Sequence, residues 1–105
     1  MTTFDERERA FEAKFSADQD LMFRIYARRA KLVGRWAAEQ MGMGDEEAKA
    51  YSLELVTVDL EEPGHADVLR RILNDFAARG LSIPAQQVEQ EMAVLLDEAR
   101  RQLLD

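Results

Sequence analysis

The chain has no cysteine, and among its 105 residues there are only two prolines, five glycines, one tryptophan and one histidine. Without cysteine, a disulfide framework and a thiolate metal site are both excluded. With so few breakers, long regular elements are expected. No apolar run approaches the roughly 20 residues that span a bilayer. The opening Thr2-Thr3-Phe4-Asp5-Glu6-Arg7 is charged almost at once, unlike a signal peptide, so a cytoplasmic location is expected. Carboxylates could still ligate a metal, but Asp59, Glu61 and Glu62 lack the spacing of a calcium loop and read as solvated acids. The lone His65 follows Pro63-Gly64 in an expected exposed turn, and the glycines form no phosphate-cradling loop. No catalytic residue, metal or cofactor is expected, and the chain does not read as an enzyme.

What the chain does have is charge. Charged residues make up 33%, apolar residues 47% and aromatics 8%, the composition of a small helical bundle with a thin core. Twenty-one acidic residues against 14 basic ones give a net charge of −7. Such a surface repels phosphate backbones and anionic lipid, so neither nucleic acid nor direct membrane contact is expected.

The few breakers punctuate helical periodicity. Gly42 and Gly44 end one run, Pro63-Gly64 the next, and Gly80 with Pro84 a third. The first of these runs, roughly Asp18 to Met41, carries Met22, Ile25, Leu32, Val33 and Trp36 as its apolar face. The next starts near Asp45-Glu46-Glu47, acids suited to a helix N-terminus. Its middle, Tyr51 to Val58, alternates partly like a strand, but no second strand-like segment exists to pair with it, so helix is predicted. A further helix over about His65 to Arg79 presents Val68, Leu69, Ile72, Leu73 and Phe76. The last begins near Ser82, with Pro84 in its first turn, and carries Val88, Met92, Leu95, Leu96, Ala99 and Leu103. Short connections favour antiparallel neighbours in a four-helix bundle.

Ahead of that bundle, Thr3 and Glu6 form a capping-box pattern, and Phe4, Phe11 and Phe15 share one narrow stripe. Ser16-Ala17-Asp18 separates this segment from the rest, dividing the chain into residues 1–16 and 17–105. The overall class is therefore all-α: a mobile N-terminal amphipathic helix followed by a four-helix bundle. The stripe could pack on the bundle or serve as an anchor in a partner's groove. A second feature is the basic run Arg24, Arg28, Lys31 and Arg35, spaced i, i+4, i+7 and i+11. It could bind an anion such as a nucleotide. Pairing with the acidic stretch 45–62 is the simpler expectation.

The run from Thr2 to Phe15, TTFDERERAFEAKF, resembles the opening of the ATP synthase zeta-subunit family. So do Ala27 to Gly34 (ARRAKLVG), Trp36 to Glu39 (WAAE), and Asp59 to Gly64 (DLEEPG) with Asp67-Val68. The resemblance covers essentially the whole chain. It implies an inhibitory subunit of the bacterial F-type ATP synthase, peripheral to the membrane through that complex and expected to be monomeric when free. Its N-terminal segment would enter between the alpha and beta subunits of the catalytic head, against gamma, and block hydrolysis. Carried onto this chain, Phe4, Phe11 and Phe15 would be apolar anchors, with Thr3, Arg7, Glu8, Arg9, Glu12 and Lys14 supporting them. A nucleotide-binding sensor and a purely structural assembly subunit of the same complex are the alternative expectations.

Overall fold

A computed structural model of the chain describes residues 19–61 and 65–104, and all four of its elements are α-helices. They are α1 (Gln19–Gln40), α2 (Asp45–Glu61), α3 (His65–Ala78) and α4 (Ala85–Leu104). The expected helical segment at residues 1–16, and its boundary with the bundle, lie outside the described residues.

Glycine terminates two of these helices by the same device. Gly42 has φ 74° and Gly80 has φ 75°, a left-handed conformation that costs glycine little and other residues more. After α1, the Met43 N–H donates to the Ala38 carbonyl (3.0 Å) and the Gly42 N–H to that of Glu39 (3.1 Å). After α3, the Leu81 N–H donates to the Phe76 carbonyl (2.9 Å) and the Gly80 N–H to that of Ala77 (3.0 Å). Both are Schellman closures, which satisfy carbonyls that the helix itself leaves without donors. Pro84 behaves differently from the sequence expectation. Helix α4 starts at Ala85, and the Pro84 carbonyl accepts from Gln87 and Val88, so the proline caps the helix instead of occupying its first turn.

The predicted apolar faces converge. Val33, Ala37, Tyr51, Leu55, Val68, Ile72, Phe76, Val88 and Met92 belong to one buried cluster that draws on all four helices. A smaller cluster joins Ile25 of α1 to Leu96 and Ala99 of α4. Helix α1 is the organising element, packed most extensively on α2 and next on α4. Its early residues meet the end of α4, as expected of antiparallel neighbours.

Residues 51–58 are helical. Their pattern is ambiguous because α2 inverts the usual rule: Leu53 (53% exposed) and Leu60 (44%) face solvent, while Ser52 and Asp59 are buried. Asp59 thus corrects the expectation of a solvated acid. Glu61 is exposed, and Glu62 lies outside the described residues. Among the described residues, no group of three or more potential ligands could hold a metal ion. His65 is half-buried as the first residue of α3, not part of a fully exposed turn.

The reason a serine is buried in α2 lies across the interface. A Cβ on Gly34 of α1 would sit 2.7 Å from the Ser52 Cα and 3.3 Å from Leu55 Cδ1. Ser52 is small, and its hydroxyl is satisfied locally by donating to the Lys49 carbonyl at 2.9 Å. The two backbones therefore approach closely. Gly34→Ala should gain roughly 1 kcal/mol of helix propensity but lose about 1–3 kcal/mol to overpacking. The clashing atom belongs to the backbone, so thermal unfolding should show a net loss that Ser52→Gly does not restore.

Candidate partner-binding surfaces

The predicted site residues divide by location. Thr3, Phe4, Arg7, Glu8, Arg9, Phe11, Glu12, Lys14 and Phe15 lie outside the described residues. The basic run is described in full, and it stands on the face of α1 that points away from the core. Arg24, Lys31 and Arg35 are exposed and Arg28 is partly buried, while Ile25, Val33 and Ala37 turn inward.

The expected pairing of this run with the acidic stretch 45–62 does not occur among the described residues. Arg24 pairs at 3.5 Å with Asp20, one turn earlier on the same helix, and that carboxylate is 85% exposed. Arg28 donates to the amide oxygen of Gln102 on α4 at 2.6 Å. The acids of α2 are met from α3 instead: Arg71 lies 3.5 Å from Glu54, and Arg79 lies 3.5 Å from Glu47. Helix α3 packs against α2 and so supplies the countercharge. Arg79, just after α3, also donates to the carbonyl of Met41, just after α1, at 3.4 Å, tying the ends of the two helices together.

At the α2–α3 junction these contacts form a polar cluster. The Tyr51 hydroxyl donates to Asp75 Oδ2 at 2.7 Å, and Arg71 Nε donates to the same oxygen at 2.8 Å. The Arg71 guanidinium stands 5.6 Å from the Tyr51 ring centroid. Together with Met41, Met43, Glu54 and Arg79, these residues line a shallow groove of about 250 Å³. Burial, then the hydrogen bond to Asp75, pushes the Tyr51 phenol well above its ordinary value. It is therefore a fixed donor at neutral pH, not a base. A group whose pKa rises on folding contributes stability that is complete below its unfolded value and is lost as pH climbs through the folded one. Tyr51→Phe should cost about 1 kcal/mol at neutral pH and should remove part of the stability loss above pH ~10. Denaturant unfolding at pH 7 and pH 11 measures both effects.

Two buried groups escaped the sequence reading. Arg29 is 1% exposed, with its guanidinium 4.8 Å from the Tyr26 ring centroid, a cation–π arrangement. Asp59 is 4% exposed. The ARRAKLVG run held a signal, since Arg28 and Arg29 are adjacent and a helix turns roughly 100° per residue. Both cannot face the same way.

No described helix is long and apolar enough to cross a membrane. The family model for ATPase inhibitor subunit zeta matches residues 1–102. A protein solved by solution NMR is similar in structure, with a TM-score of 0.70 and 40% sequence identity, over 81% of this chain and 96% of that one. Among curated proteins there is no match.

Proposed function

This chain belongs to the family of ATPase inhibitor subunit zeta, and on that premise we propose that it restrains the F-type ATP synthase with residues 1–16 as the inhibitory element and residues 17–105 as its anchor. The segment enters between the alpha and beta subunits of the catalytic head, against gamma, and acts as a wedge that stops rotation in the hydrolytic direction. The observation that carries this reading is the extent of the family match, which includes the N-terminal segment as well as the bundle.

The composition of the segment supports the role. Phe4, Phe11 and Phe15 recur at intervals of seven and four, so a helix places them on one side. Thr3, Arg7, Glu8, Arg9, Glu12 and Lys14 leave the other sides polar. A narrow aromatic stripe with charged flanks is the form that seats in a hydrophobic groove. A helix of about 15 residues is marginal in water, so its ordering energy must come from the groove. The bundle limits how far such a wedge can thread.

Adding the intact chain to the cognate catalytic head should lower ATP hydrolysis in a saturable, dose-dependent way. Stable binding with hydrolysis unchanged at saturation would overturn the inhibitory role.

A further inference from the structure

We propose that the outer face of α1, carrying Arg24, Arg28, Lys31 and Arg35, docks onto an acidic patch of the same protein complex that receives residues 1–16. This rests on the inhibitory reading above and assigns the bundle its own contact.

The first argument is that these cations are not neutralised within the fold. In a chain of net charge −7, α1 carries no acid between Leu21 and Ala38. Arg24 has only a 3.5 Å pair with a largely solvated carboxylate. Arg28 meets a neutral amide. No ion pair involves Lys31 or Arg35 among the described residues, and both are exposed. Two of the acids of α2, Glu54 and Glu47, are engaged instead by Arg71 of α3 and by Arg79 just after it. On a chain with a net charge of −7, a row of four cations on one helix face is attracted to an acidic partner while much of the remaining surface is repelled, so the ridge sets the orientation of approach.

The second argument is shape. Eleven residues of helix separate Arg24 from Arg35, about 17 Å along the axis. The four charges are strung along a convex helix face, whereas small-ligand sites are concave. The described grooves of about 270 and 250 Å³ lie between α2 and α3 and do not include these residues. An extended line of cations on a convex surface matches a protein patch with several carboxylates better than one phosphorylated small molecule.

The third argument is position. Helix α1 begins at Gln19, shortly after residues 1–16 in the chain, so its outer face is tethered to the inserted segment by a short stretch of chain. Two contacts joined by a short tether reinforce each other through effective concentration.

The test is charge reversal in the full chain, Lys31→Glu with Arg35→Glu, read by binding to the catalytic head and by inhibition of hydrolysis. Both residues are exposed and outside the ion pairs described, so the fold should persist, which circular dichroism checks. The dissociation constant should rise about tenfold or more at low salt and converge toward that of the unaltered chain near 0.5 M salt. Maximal inhibition at saturation should be retained. A control, Lys49→Glu with Arg70→Glu, makes the same change in net charge on α2 and α3 and should shift affinity much less. Equal loss in the control, or unchanged affinity in the α1 variant, would overturn the docking face while leaving the inhibitory segment intact. Loss of binding to anionic vesicles or to ATP, with affinity for the head unchanged, would also overturn it. Failure of the unaltered chain to bind the head would overturn both readings.

Discussion

A chain lacking residues 1–15 is expected to leave ATP hydrolysis at its uninhibited rate, at concentrations where the intact chain stops it. The bundle accounts for the expected independence. Its buried clusters, both glycine closures and every helix–helix contact described here lie between Gln19 and Leu104. Deleting 15 residues ahead of α1 removes none of them, so the truncated chain should keep the helical circular dichroism of the bundle. If it also competes with the intact chain for the head, the anchor is separated from the wedge. Full inhibition by the truncated chain would place the activity in the bundle and refute the wedge.

Within the segment the effect should concentrate in few residues. Interface energy usually resides in a minority of side chains, with aromatics prominent, at 2 kcal/mol or more each. Phe11 is central in the stripe, with Phe4 and Phe15 on either side. Phe11→Ala should therefore raise the half-inhibitory concentration by about 30-fold, the equivalent of ~2 kcal/mol. Replacing the flanking Glu12 with Gln should change it several-fold at most, because rim charges contribute little. Potency unchanged by Phe11→Ala would remove that residue from the anchor set.

The helices and their breaks were legible in the sequence because they rest on local chemistry. Gly42 and Gly80 sit at left-handed positions that follow from being glycine, and the apolar spacing of α3 translates directly into buried Val68, Ile72 and Phe76. What was not legible depends on partners distant in sequence. Ser52 is buried because Gly34 on another helix admits it, and no periodicity within α2 encodes that. Charge pairing was misassigned for the same reason. The α1 cations and α2 acids are opposite in sign, but the described ion pairs of Glu54 and Glu47 are made with Arg71 and Arg79 instead. Residues 1–16, the proposed inhibitory segment, stand on a third footing. Their stripe was visible, but their partner was legible only through likeness to the zeta family.

The largest loss of stability is expected from Phe76→Ala. Phe76 is 1% exposed, and its ring meets Trp36 of α1 edge-on at 6.0 Å between centroids. Its carbonyl also accepts the Leu81 N–H in the closure of α3. The substitution keeps that backbone bond but removes the ring, leaving a cavity at the meeting point of two helices. Phenylalanine-to-alanine changes in cores cost about 3–5 kcal/mol. A domain of this size has a total stability of roughly 4–13 kcal/mol, so about a quarter of it or more would go. The melting temperature should fall by roughly 15–30 °C. Phe76→Leu, which refills most of the volume, should recover more than half of the loss. Leu53→Ala, at a half-exposed position on α2, should change stability by no more than about 0.5 kcal/mol. Because the buried residues around Phe76 all belong to the described helices and the proposed inhibitory element is residues 1–16, the Phe76→Ala chain should still inhibit below its lowered melting temperature and lose inhibition as the bundle unfolds. Loss of inhibition well below that transition would mean that the bundle positions the wedge through its detailed packing and is more than a folded anchor.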